Sequence, residues 1–124
     1  MSANLKVASF DSGTLAYKIV SDTTLDATAN IDVTAEAGSL YAIDIDNQDQ
    51  SDHCFVKLSL TQSAITVGTT PPDIMIRANS ATKRRVVIPE GVAFSKLSFW
   101  QTTLGTDASS STAASPVLVT LVTS

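Results

Sequence analysis

Histidine, cysteine and glycine are scarce in this chain of 124 residues. The single cysteine, Cys54, excludes a disulfide within the chain, so cysteine usage gives no indication of an oxidising compartment. The single histidine, His53, has no second histidine with which to form a metal cluster or a proton relay. The five glycines are isolated, and neither a phosphate-binding loop nor a Gly-x-Ser-x-Gly motif occurs. These absences argue against an enzyme, and we expect no cofactor.

The adjacency of His53 and Cys54 invites a nucleophile-and-base interpretation. Neighbouring side chains on a strand point to opposite faces, however, so these two groups cannot interact directly. Cys54 is in phase with Val56 and Leu58, and free cysteine is among the most buried residue types. We therefore predict that Cys54 is a small core residue.

Charge is also low. Charged residues make up 16% of the chain, and the net charge is −4. A nucleic-acid-binding protein needs clustered Lys and Arg, so this acidic balance argues against such a role. No apolar stretch approaches the ~20 residues that a membrane-spanning helix requires, so no membrane contact is expected. The first residues lack the pattern of a signal peptide, which predicts synthesis in the cytoplasm.

Short segments of alternating polar and apolar residues fill the rest of the chain, and turn residues separate them. Such a pattern predicts strands, and helical periodicity is nearly absent. The predicted strands are Leu5–Phe10, Leu15–Val20, Ala29–Val33, Leu40–Asp46, Cys54–Leu60, Asp73–Ala78, Arg84–Ile88, Ala93–Thr103 and Val117–Thr123. Eight or nine evenly spaced strands favour one all-β domain over residues 1–124, an antiparallel β-sandwich of jelly-roll type. Residues 1–10 could instead form an extended N-terminal arm.

Two charged segments are candidates for binding. The acidic stretch Asp44–Asp52 could supply oxygen ligands to calcium, but it lacks the glycine and closing glutamate of an EF-hand loop. The alternative is a strand end and turn, where Asp and Asn form local hydrogen bonds. The basic triplet of Lys83, Arg84 and Arg85 could dock onto an acidic partner, or it could be a solvated strand start.

Four stretches carry a resemblance to a known group of proteins: Lys57–Leu60, Gly68–Ile76, Val86–Phe94 and Leu97–Trp100. They place a Gly-Thr-Thr-Pro loop before a short Ile-rich strand, and a Pro-x-Gly-x-x-Phe turn before the next long strand. In these features the chain resembles small virion structural proteins of tailed bacteriophages. In the turn, which contains Pro89 and Gly91, we expect Gly91 to supply a positive φ.

The resemblance implies a β-sandwich protein that decorates or cements a capsid, and cement proteins of this kind commonly assemble as trimers. Our hypothesis is therefore a non-enzymatic virion protein that binds a major capsid protein and forms a homotrimer. Its expected contact residues are Leu5 and Lys6 in the N-terminal segment, and Lys83, Arg84 and Arg85 in the basic triplet. The alternatives are a tail fibre or adaptor and a module that binds carbohydrate or a receptor.

Overall fold

The computed structural model describes residues 3–12, 15–109 and 117–124, and these residues form strands and loops without a helix. The strands are β1 (Leu5–Ser12), β2 (Leu15–Leu25), β3 (Gly38–Asn47), β4 (Cys54–Ser59), β5 (Ile74–Ala78), β6 (Thr82–Phe94), β7 (Ser98–Thr102) and β8 (Val117–Thr123). They make one sheet in the order β1-β2-β8-β3-β6 and a second in the order β5-β4-β7. The two antiparallel sheets pack face to face, which confirms the predicted β-sandwich.

The strand pairs are nested along the chain. β2 pairs with β8, β3 with β6 and β4 with β5. Between β2 and β3, Asn30 forms a single antiparallel bridge to Phe99 in β7. This order of pairs is what results when one long hairpin of four strand pairs is rolled up, and it is the topology of a jelly roll. β1 is an additional strand at the edge beside β2.

The core lies between the two sheets and is built from alternate residues of each strand. Val119 and Leu121 of β8 and Val56 and Leu58 of β4 are fully buried, and each pair lies on one face of its strand. Strands with one inward and one outward face show this period of two. The other fully or nearly fully buried members of this core cluster are Val20, Leu25, Leu40, Ile43, Ile45, Cys54, Ile76, Ala78, Phe94, Leu97, Phe99 and Val117.

The turn predicted at Pro89 and Gly91 is wrong, because both residues lie inside the continuous strand β6. Leu40 pairs with Val92 and Ala42 with Val87, so four residues of β6 lie opposite Tyr41 alone. Such a bulge absorbs the extra residues without ending the strand. Gly91 has φ = +74°, the conformation that glycine tolerates best.

The same bulge changes the phase of β3. Leu40 and Ile43 are both fully buried, although they are three residues apart. The uninterrupted alternation predicted from Leu40 to Asp46 is therefore wrong at Tyr41, because an irregularity of this kind moves later residues to the opposite face.

Two predicted strands are shorter than expected. Ala29–Val33 contributes only the bridge at Asn30, and Asp32 has φ = +47°, which interrupts an extended chain. The predicted strand Ala93–Thr103 is divided, because Ser95 and Lys96 both donate backbone N–H groups to the carbonyl oxygen of Leu60. β6 ends before this bend, and β7 begins after it.

The N-terminal segment is part of the sheet. All eight residues of β1 pair with β2, from Leu5 opposite Asp22 to Ser12 opposite Leu15. Most of the predicted arm, residues 1–10, therefore lies in an edge strand, while Met1 and Ser2 lie outside the described residues.

The outer face of the smaller sheet is covered by the protein's own chain. Lys57 and Trp100 lie opposite each other on this face, and each is only 1% exposed. The segment after β7 covers them: Lys57 Nζ donates to the carbonyl oxygen of Thr106 at 2.7 Å, and Gly105 lies against the ring of Phe55. Burial lowers the pKa of Lys57, while the nearby Asp107 opposes that shift. The five-stranded sheet is thus the one whose outer face is open in the described structure.

We predict that Gly91→Ala destabilises the protein by about 1–3 kcal/mol, because alanine is strained at this positive φ. A Cβ at position 91 would also lie 2.7 Å from the ring of Tyr41. Urea unfolding monitored by Trp100 fluorescence measures the loss. In a Tyr41→Ala background the ring contact is absent, so the loss should fall to the backbone strain and the 3.2 Å contact with Ser39 Cβ. A Gly91→Ala protein as stable as the unmodified chain would contradict the assignment.

Candidate interaction face

The outer face of the five-stranded sheet carries an unbroken line of apolar side chains, here called the apolar row. Strand register places one residue of each strand directly beside the next: Ala8, Ile19, Val122, Ala42 and Val87. The row crosses five strands, so it is about 19 Å long at the usual spacing of ~4.8 Å. Val87 at one end is 56% exposed, and Ala8 at the other end is also exposed.

A second line, here called the polar row, runs parallel to the apolar row two residues further along each strand. It consists of Lys6, Ser21, Thr120, Asp44 and Arg85. The two rows together form a surface in which the apolar row lies beside the polar row, and the polar row has charged residues at both ends. Such a combination of apolar centre and polar border is typical of protein–protein interfaces.

Two ion pairs organise the charged end of this face. Arg85 Nε lies 3.6 Å from Asp44 Oδ1, and Lys83 Nζ lies 3.9 Å from Asp46 Oδ2. Each pair joins directly opposed residues of β3 and β6, the arrangement in which opposite charges stabilise a sheet. Because the pairs are exposed to water, each contributes at most about 1 kcal/mol. They border an open depression of about 400 Å³ that also includes Leu118.

The structure places three of the five predicted contact residues on one face of the five-stranded sheet. Lys6 and Arg85, far apart in the sequence, lie at opposite ends of the polar row, and Lys83 lies on the same face. Arg84 instead donates from Nη1 to the carbonyl oxygen of Arg77 at 2.7 Å, which links β6 to β5 of the other sheet. Leu5 is half-buried and packs against the core.

An aromatic pair that the sequence analysis did not single out extends this face. Phe10 of β1 and Tyr17 of β2 are opposed residues whose rings stack with centroids 5.0 Å apart. Lys18 and Glu36 form an ion pair beside them, and Lys18 lowers the pKa of Glu36. These side chains line an open cleft of about 270 Å³. In the sequence, Phe10 is in phase with Ala8 and Tyr17 is in phase with Ile19. Only the strand register shows that the two rings meet.

The acidic stretch is used for local structure. Asp44 and Asp46 form the ion pairs described above, and Asp46 Oδ1 also accepts a hydrogen bond from the backbone N–H of Gln48. Buried Asn47 donates from Nδ2 to the carbonyl oxygens of Asp52, Ala78 and Asn79. Across residues 3–12, 15–109 and 117–124, no three His, Cys, Asp or Glu side chains converge as metal ligands. The calcium interpretation therefore has no ligand cluster there.

Cys54 and His53 do not form a reactive pair. Cys54 is fully buried in the core, and this burial raises the pKa of its thiol to about 11. The thiolate is the nucleophilic form, so a pKa this high makes Cys54 inert. The ring of His53 packs edge-on against Phe55, with centroids 5.7 Å apart.

Comparison with known proteins gives no match to any protein-family model and none to a curated protein sequence. The part of the chain that the structure describes has no helix long and apolar enough to cross a membrane.

We predict that Asp44→Asn changes stability by less than about 1 kcal/mol, because the ion pair that it removes is exposed. Chemical denaturation measures the difference. Leu121→Ala is the control from the neighbouring strand, and removal of its fully buried side chain should cost about 2–5 kcal/mol. Equal losses in the two variants would show that Asp44 has a structural role that the ion pair does not explain.

Proposed function

We propose that this protein is a non-enzymatic virion structural protein that decorates or cements a phage capsid through protein–protein contacts. The observation that carries the proposal is the open outer face of the five-stranded sheet, with its apolar row beside a charged row. The proposed partner is a major capsid protein, and the proposed location is the virion.

The chemistry of the face suits a protein partner. Val87 and Ala8 offer exposed apolar surface, and Lys6 and Arg85 offer charge at the border of the same surface. Apolar contact supplies most of the binding free energy in such interfaces, while charges at the rim govern orientation and association rate. The depressions on this face are open, unlike the concave sites that enclose small ligands.

The size of the face adds a further constraint. Five strands at ~4.8 Å spacing and about seven residues of each strand give an area of roughly 600 Å². A stable interface usually covers about 800 Å² on each partner, so one face would bind weakly by itself. An oligomer that presents several faces to one capsid would bind much more tightly, because the second contact becomes intramolecular. This is the physical reason to expect a homo-oligomer, and the resemblance implies a trimer.

The resemblance to phage virion proteins directs the proposal to a virion, with a capsid as the first candidate. Its residues Val86–Phe94 lie in β6, the strand that carries Val87 and Arg85 on the open face. Its residues Gly68–Ile76 lead into β5, and Leu97–Trp100 lead into β7. The same resemblance supports a tail fibre or adaptor as the alternative.

The test is co-sedimentation of the purified protein with phage capsids, using two variants of matched exposure. Val87 lies on the open face and Leu104 lies on the covering segment after β7, and both are 56% exposed. We predict that Val87→Glu lowers the affinity for capsids at least about tenfold, whereas Leu104→Glu does not, since only the first places a charge in the apolar row.

Three results would contradict the proposal: no co-sedimentation of the unmodified protein, equal effects of the two variants, or a loss confined to Leu104→Glu. A positive glycan array together with absent capsid binding would favour the carbohydrate-binding alternative, for which exposed Phe10, stacked on half-buried Tyr17, supplies aromatic surface.

A further inference from the structure

We infer that β1 is a self-pairing edge: two copies of this chain join β1 to β1 in antiparallel orientation, about a two-fold axis at Ala8. The result is one ten-stranded sheet that extends across both copies. The inference rests on the edge geometry of the chain and does not require the proposed virion role. It puts a two-fold dimer in place of the trimer that the resemblance implies.

β1 is a long edge without the usual protection. Its eight residues pair with β2 on one side and have no neighbouring strand on the other in the described structure. Lys6–Phe10 are all exposed, and Val7 and Phe10 are more than 40% exposed although they are large and apolar. A strand of this length presents a row of backbone N–H and C=O groups that can accept another strand. It contains no proline, and Lys6 is its only basic residue.

The other sheet edges carry features that oppose pairing. β6 contains Pro89 and the bulge opposite Tyr41, and its basic triplet adds three positive charges. Proline, bulges and clustered charge are the devices by which natural sheets block their edges.

The edges of the smaller sheet are covered or short. Beside β7, Asn30 exchanges two backbone hydrogen bonds with Phe99, and Gln101 donates its backbone N–H to the carbonyl oxygen of Asp26. β5 has only five residues, and its Arg77 carbonyl accepts the hydrogen bond from Arg84. Among the described edges, β1 is therefore the long one that remains open.

The sequence of β1 is complementary to itself. In antiparallel pairing about Ala8, the two Ala8 residues lie opposite each other, and Lys6 of each copy lies opposite Phe10 of the other. No two like charges among these residues are then directly opposed. Directly opposed like charges would destabilise the sheet. Each Lys6 would lie near an aromatic ring, a favourable contact for a cation.

A two-fold axis at Ala8 also continues the apolar row. Ala8 is the end of that row on each copy, so the two rows meet end to end and form one line of ten apolar residues. Because both copies belong to one sheet, their outer faces lie on the same side. The combined face is about 1,200 Å², which exceeds the usual ~800 Å² per partner. Two-fold pairing closes the assembly at two chains and uses both open edges.

Static light scattering over a concentration series tests the inference. We expect a mass of twice 13.0 kDa, and dissociation of the dimer in Ala8→Lys, because two lysines would then face each other at the axis. Val87→Lys is the matched control: it makes the same change in charge at the opposite end of the apolar row and should leave the dimer intact. Circular dichroism checks that both variants retain the fold.

Cysteine crosslinking tests the position of the axis. Opposed residues of antiparallel strands have Cα atoms about 4.5–5.5 Å apart, within the range of a disulfide. Ala8→Cys should therefore form a disulfide-linked dimer on mild oxidation, whereas Val87→Cys should not. The native Cys54 does not interfere, since it is fully buried.

A mass of one chain at all concentrations would overturn the inference, as would a dimer that Ala8→Lys leaves intact. A mass of three chains would also overturn it, and would agree with the trimer that the resemblance implies. In a third outcome, Ala8→Lys abolishes the dimer but not capsid binding, and Val87→Glu abolishes capsid binding. This outcome would support the inference and show that the β1 edge and the open face act separately.

Discussion

The position of β8 is the constraint on which the rest of the structure depends. The last strand of the chain lies at the centre of the five-stranded sheet and joins β2 on one side to β3 on the other. Its inward residues Val117, Val119 and Leu121 are buried in the core, and its outward residues Thr120 and Val122 complete the two rows of the open face. The sheet and its outer face therefore form only when the two ends of the chain come together. Such long-range pairing makes folding slow in β proteins.

The outer face of the smaller sheet is covered, and that of the larger sheet is open in the described structure. This difference locates the candidate interaction surface. On the smaller sheet, Trp100 and Lys57 are buried beneath the segment after β7, at the cost of removing an ammonium group from water. The hydrogen bond to the Thr106 carbonyl offsets part of that cost. On the larger sheet no described segment plays this covering role. The apolar row is exposed at Ala8 and Val87 and half-buried at Ile19 and Val122, and exposed apolar surface commonly marks an interaction site.

Much of the fold follows from the sequence, because alternation over a strand depends on local residues alone. The strands predicted at β4 and β8 are present, and Cys54, predicted as a core residue in phase with Val56 and Leu58, is buried with them. The errors at Tyr41 and at Pro89 and Gly91 arise because a bulge in one strand depends on its pairing with another. The face was only partly foreseen for the same reason. Lys6 and Arg85 were recognised separately, but their common row depends on the register of four strand pairs.

The most direct test of the open β1 edge is backbone hydrogen exchange, measured by mass spectrometry at low and high protein concentration. Amides of β8 should be strongly protected at both concentrations, because this strand is paired on both sides. Amides of β1 should exchange more slowly at the higher concentration, as the second copy pairs with them, while those of β6 should not change. Exchange from β1 that is independent of concentration, or a slowing confined to β6, would contradict the account.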